Sequence, residues 1–257
     1  MSPLTASKPA GASEAWPHPR WIAHRGAGTL APENTWAAFE LGAQWGFSMF
    51  ECDVRPSADG VWFLMHDDTL ERTTNGQGLA QQRPWAELLD LDAGAWHSPQ
   101  HVGQRLPTLD ALLAVAQQRD WCLNLELKPP EDPPTARQWG VELGLWLSQH
   151  PHGHQHLVTS FSTDALAGLQ AAAPQVRRGH LFEAWSDQVL PTTQSLGCVA
   201  LVLDHTAWET EHAQAAREAG LWTLSYTVNE PVHADRLWAM GLDALITDRV
   251  DLFNPKS

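Results

Sequence analysis

The 257-residue chain is 43% hydrophobic and carries 16 Lys plus Arg against 30 Asp plus Glu, a formal charge of −14. That length suffices to bury one large core as a single domain, and the negative excess argues against nucleic acid or an anionic membrane surface as partner. Cys52, Cys122 and Cys198 are an odd number, each in or beside an apolar run, which suits buried thiols rather than a disulfide framework.

Residues 1–20 are rich in Pro, Ala and Ser and hold no apolar stretch of signal-peptide length; nowhere do eighteen apolar residues follow one another. The expectation is a cytoplasmic protein with a disordered tail over 1–20 and one catalytic domain over 21–257. From Trp21 onward, apolar runs at 21–24, 48–53, 121–127, 156–161, 178–182, 199–203, 222–227 and 244–247 read as strands. Segments of helical period at 34–45, 107–118, 135–149, 163–172, 210–219 and 231–240 lie between them. Eight strands with intervening helices form an α/β fold, the closed (β/α)₈ TIM barrel, whose reactive residues gather at the carboxyl ends of the strands.

Val61 to His66 does not fit that count, because only about seven residues separate it from Asp53, too few for a parallel crossover. An antiparallel hairpin turning at Ala58-Asp59-Gly60 solves this and brings His66 nearly opposite Asp53. The following segment, about 67–106, is too long for a plain connection and is expected to form a small inserted cap over the barrel mouth, with a short helix near 85–89. The alternating His150, His152, His154 and His156 are interleaved with Pro151 and Gly153, which suits a surface loop better than a metal tract.

Alternation along a strand puts Glu51 and Asp53 on one face of the second strand, and Asn124, Glu126 and Lys128 on one face of another. Burying three acids together calls for a balancing cation. Hard carboxylate oxygens suit Ca²⁺, Mg²⁺ or Mn²⁺ better than zinc; the plainer alternative is interior salt bridging to Arg25 and Lys128. Imidazole in general titrates near neutral pH, so His24 and His66 are the natural candidates for proton transfer. Arg25 and Lys128 supply the local positive charge that an anionic substrate would require in so acidic a chain. Asn34 is placed to cap the helix that follows it, and Glu33 to orient a metal-bound water or a histidine.

These clusters, His24-Arg25-Gly26, Pro32-Glu33-Asn34-Thr35, Glu51-Cys52-Asp53-Val54, His66-Asp67-Asp68-Thr69-Leu70 with Arg72-Thr73-Thr74, Pro107-Thr108-Leu109 and Asn124-Leu125-Glu126-Leu127-Lys128, stand in the chain in that order. Together with Ser160-Phe161, Tyr226-Thr227-Val228-Asn229 and Asp243 through Asp248, the chain resembles the glycerophosphodiester phosphodiesterase family over roughly residues 21–250. The resemblance implies hydrolysis of small-molecule glycerophosphodiesters such as glycerophosphocholine or glycerophosphoethanolamine to sn-glycerol 3-phosphate and an alcohol. It implies Glu51, Asp53 and Glu126 as ligands of one divalent cation, Mg²⁺ or Ca²⁺ with Mn²⁺ also suited, and His24 and His66 as the base and acid pair. Phe161 and Tyr226, counted at the ends of the fifth and eighth strands once the hairpin is included, offer rings to the glycerol carbons or to the core. The family more often carries tryptophan where Tyr226 stands. Water and the glycerol 2-hydroxyl both remain open as the nucleophile, and the oligomeric state is not legible. Two other readings are a related phospholipase acting on intact phospholipids, which the charge of −14 disfavours, and a non-catalytic phosphopolyol-binding protein, which would not need both histidines.

Overall fold

The computed structural model describes residues 15–151 and 153–255. In chain order the elements are β1 (Trp21–Ala23), α1 (Trp36–Gln44), β2 (Met49–Pro56), β3 (Trp62–Leu64), α2 (Trp85–Leu88), α3 (Leu109–Arg119), β4 (Cys122–Leu127), α4 (Pro133–Gln149) and β5 (Leu157–Ser160). They continue with α5 (Thr163–Ala172), β6 (Arg177–Phe182), α6 (Val189–Ser195), β7 (Ala200–Asp204), α7 (Thr210–Glu218), β8 (Trp222–Tyr226), α8 (Pro231–Ala239) and β9 (Ala244–Thr247). All strands but β3 pair in parallel, and β1 bonds to both β9 and β2, so eight strands close into a TIM barrel.

Alternation sorts the side chains into two cores. Phe50, Cys52 and Val54 point out from β2 and pack in the layer between sheet and helices. Met49 points in and joins Ile22, Leu157, Val202, Trp222 and Leu224 in an apolar plug inside the barrel. One pleat further along, the inward positions become polar: Glu51 and Asp53 on β2 pair in register with Asn124 and Glu126 on β4. The plug therefore forms a floor, and the acids stand on it at the carboxyl end of the strands.

The hairpin expected from spacing is present. β3 runs antiparallel to the end of β2 with Val54 opposite Leu64 and Pro56 opposite Trp62, and the N–H of Met65 donates to the Asp53 carbonyl at 3.0 Å. The turn needs glycine at Gly60, where φ is +82°. Past the hairpin, residues 67–106 fold over a small core of their own that includes Phe63, Leu70, Ala80, Leu88 and Leu106, with α2 where a short helix was expected.

Four details differ from the sequence reading. Asn34 does not cap α1; Thr35 does, its side chain accepting from the N–H of Ala38. The helix α6 was not expected, since its seven residues include Pro191 and show little apolar period. Phe161 lies one residue beyond β5. Packing also starts before residue 21, because Trp16 meets Trp222 edge-on at 5.2 Å; the remainder of the expected tail, residues 1–14, lies outside the described residues. All three cysteines are free, Cys52 and Cys198 being buried. His150 stacks on Trp146 and bonds its carbonyl, as a loop residue would, while His152 lies outside the described residues.

Candidate active site

His24 leaves β1 at the barrel mouth, and the chain then turns through Arg25 and Gly26 at φ +50° and +97°. A Cβ on Gly26 would stand 2.8 Å from that of Ala38, so glycine lets α1 approach closely. Arg25 and Asn34, at φ +50° and +57°, hold backbone that non-glycine residues seldom adopt, as residues at reactive sites often do. The turn aims the Arg25 N–H at Glu51 Oε2, 3.0 Å away, and brings its guanidinium to 3.2 Å from Asp53 and 3.0 Å from Glu33.

Glu51, Asp53 and Glu126 each offer an oxygen within 4.8 Å of the others. Glu51 and Asp53 are buried, and Glu51 Oε1 and Asp53 Oδ1 have no hydrogen-bond partner. Burial and the adjacent Asp53 carboxylate push the Glu51 pKa up to about 8. Burial raises that of Asp53 as well, but Arg25 and Lys128 outweigh it and hold the group below its ordinary value. Two orphaned oxygens and a carboxyl that resists ionisation are the condition that a divalent cation relieves. The three acids fit such an ion. Of the two expectations for these acids, the salt bridging is present beside the clustered oxygens: Lys128 Nζ donates to Glu126 Oε1 at 2.8 Å and stands 3.8 Å from Asp53.

The histidines flank this cluster, each with a carboxylate on Nδ1. His24 Nδ1 donates to Asp248 at 2.6 Å, leaving Nε2 turned inward, 3.7 Å from Glu51. His66 Nδ1 donates to Asp67 at 2.7 Å, and its Nε2 meets the Lys128 ammonium at 3.1 Å. Burial opposes the His24 imidazolium, but Asp248 and Glu51 prevail and raise its pKa. A cavity of about 680 Å³ opens onto His24, Arg25, Glu51, His66, Glu126 and Lys128. A second, of about 560 Å³, adjoins it and shares His66, Glu126, Lys128 and Phe161. Phe161 and Tyr226 meet edge-on at 5.9 Å on the wall of the first. The Tyr226 hydroxyl donates to the Phe182 carbonyl at 3.0 Å, so its polar end is already engaged.

The Glycerophosphoryl diester phosphodiesterase family matches over residues 24–252. The chain belongs to this family. A phosphodiesterase of Oleispira antarctica, solved in complex with the product sn-glycerol-3-phosphate, is 34% identical with a TM-score of 0.84, covering 93% of this chain and 95% of that one. A glycerophosphodiester phosphodiesterase of Agrobacterium tumefaciens is 31% identical with a TM-score of 0.74, over 92% of this chain and 99% of that one. A glycerophosphodiester phosphodiesterase of Bacillus subtilis is 29% identical over 250 residues, 91% of this chain and 84% of its own length.

The structure thus brings together all nine residues singled out in the sequence of this phosphodiesterase-family chain: His24, Arg25, Glu51, Asp53, His66, Glu126, Lys128, Phe161 and Tyr226. Two expected roles change. Asn34 holds Asp53, its Nδ2 donating to Oδ2 at 2.8 Å and its Oδ1 accepting from the Asp53 N–H at 3.2 Å. Glu33 grips Arg25 and Arg72 rather than a histidine. Sequence reasoning gave no role to Asp67, Arg72, Asn229 or Asp248, although all lie in matching motifs. Asn229 secures Asp248 by donating to Oδ2 at 2.9 Å.

Proposed function

We propose that the protein hydrolyses glycerophosphodiesters, glycerophosphocholine and glycerophosphoethanolamine among them, to sn-glycerol 3-phosphate and an alcohol. The observation that carries this reading is the pair of carboxylate-tethered imidazoles on either side of three converging acids. Likeness to a relative bound to sn-glycerol-3-phosphate supports the substrate class.

Arg25 and Lys128 hold the nonbridging phosphate oxygens, and their charge counts for more as negative charge grows in the transition state. His24, with its Nδ1 proton fixed on Asp248, presents Nε2 as the base toward the nucleophile, either water or the glycerol 2-hydroxyl. His66, once protonated on Nε2, delivers that proton to the departing alkoxide, and Asp67 stabilises the imidazolium. Glu51, Asp53 and Glu126 would hold one divalent cation, Mg²⁺, Ca²⁺ or Mn²⁺, which when bound would supply Lewis-acid polarisation. Phe161 and Tyr226 offer ring faces to the glycerol carbons.

Product release across a panel of glycerophosphodiesters, with chelator and with each cation restored, tests the assignment. Turnover of intact phosphatidylcholine above that of glycerophosphocholine would instead point to a phospholipase. Among the described residues no helix is long and apolar enough to cross a membrane.

A further inference from the structure

Arg72 belongs to the inserted segment and is 44% exposed at its side chain, where an ion pair is ordinarily worth little. Its geometry is the exception. Nε and Nη2 donate to the two oxygens of Asp67, and Nη1 and Nη2 donate to the two oxygens of Glu33, all at 2.5–2.8 Å. One guanidinium is thus forked on both edges. Each carboxylate then reaches a different part of the reaction centre: Asp67 accepts from His66 Nδ1 at 2.7 Å, and Glu33 accepts from Arg25 Nη1 at 3.0 Å.

From these distances we infer that Arg72 is the positioning residue that sets the proton donor and the phosphate grip together, locking His66 through Asp67 and Arg25 through Glu33. This rests on the glycerophosphodiesterase reading of the site. The line Asp67, Arg72, Glu33, Arg25 alternates in charge, so neither carboxylate is left uncompensated. Arg72 holds the Asp67 carboxyl well below its usual range, which keeps an acceptor on His66 Nδ1 and points Nε2 at the substrate. Lysine keeps the charge but has no planar fork and cannot span both carboxylates in paired bonds. The inserted segment is therefore more than a cover: it reaches down to brace two groups, one that follows β1 and one that follows the β2–β3 hairpin.

The test compares two esters of glycerol 3-phosphate, glycerophosphocholine and the p-nitrophenyl ester, in wild type, Arg72→Met, Arg72→Lys, Asp67→Asn and the Asp67→Asn/Arg72→Met double variant. Choline needs a proton to leave; p-nitrophenolate does not. Arg72→Met is expected to lower kcat on glycerophosphocholine roughly 10- to 100-fold and on the nitrophenyl ester far less, while KM rises on both because Arg25 is loosened. Arg72→Lys should fall between the two, and the double variant should be no worse than the poorer single one, as groups acting through one contact are not additive. Equal loss on both esters, full recovery with lysine, or additive losses would overturn the inference. If Arg72→Met does not fold, Asp67→Asn and Arg72→Lys carry the same comparison of esters. A wild type inactive on both esters sinks the functional reading and this inference with it; an active wild type with equal losses sinks the inference alone.

Discussion

Asp248 accepts a 2.6 Å hydrogen bond from His24 Nδ1 across 224 residues of sequence. The contact joins the two ends of the chain at the barrel seam, where β1 pairs with β9, and it fixes which imidazole nitrogen faces the substrate. Asp248→Asn keeps the shape but removes the charge and permits the wrong tautomer. The expected outcome is a roughly 10- to 100-fold fall in kcat, with a thermal unfolding midpoint close to that of wild type. Steady-state kinetics beside calorimetry would check it.

The floor under that contact is equally specific. Gly28 has φ +57°, and a Cβ there would fall 2.2 Å from the Asp248 Cα. Gly28→Ala should cost about 1–3 kcal/mol of stability and lower kcat in step with Asp248→Asn, because backbone rather than a flexible side chain must give way. Chemical denaturation together with kinetics measures both effects.

Glu51 is held buried with its pKa pushed up to about 8 from 4.5, so without a cation the folded chain must hold a proton at neutral pH that the unfolded chain has released, and stability falls as pH rises between those values. Glu51→Gln removes that loss. In chelator the variant should unfold at a higher temperature than wild type, yet show almost none of the upward shift that wild type gains from Mg²⁺, Ca²⁺ or Mn²⁺, about 2.7 kcal/mol at a hundredfold excess over Kd. Thermal scans with and without each ion give the result directly.

His180 is buried beside Phe182, and burial pushes its pKa down to about 4 from 6.5. Between those values the unfolded chain binds the proton and the folded one does not, so stability declines as pH falls from about 6.5 to about 4. The effect amounts to about 3 kcal/mol. His180→Leu should flatten this acid limb in part, since His18 is lowered to about 4 as well and keeps its share. Urea denaturation at stepped pH checks the slope.

Much of this was legible in the sequence for physical reasons. A period of two put Glu51 and Asp53 on one face, and too short a spacing forced the antiparallel hairpin that returns His66. Three things were not legible. Asn34 and Thr35 are both good capping residues, and only the backbone turn at Asn34 shows that it faces Asp53 while Thr35 caps α1. The seven residues of α6 carry too weak a pattern to stand out. The partners of the two histidines, Asp67 with Arg72 and Asp248 with Asn229, depend on side-chain direction and on a seam between chain ends, which spacing does not encode.

The most direct measurement is release of sn-glycerol 3-phosphate from glycerophosphocholine and glycerophosphoethanolamine by wild type, His24→Ala and His66→Ala, with chelator and with Mg²⁺, Ca²⁺ or Mn²⁺ restored. The expected result is turnover by wild type that chelator abolishes and a divalent ion restores, and a fall of about 10²- to 10⁴-fold in either histidine variant. No release under any of the three ions, or turnover undiminished in both histidine variants, would contradict it.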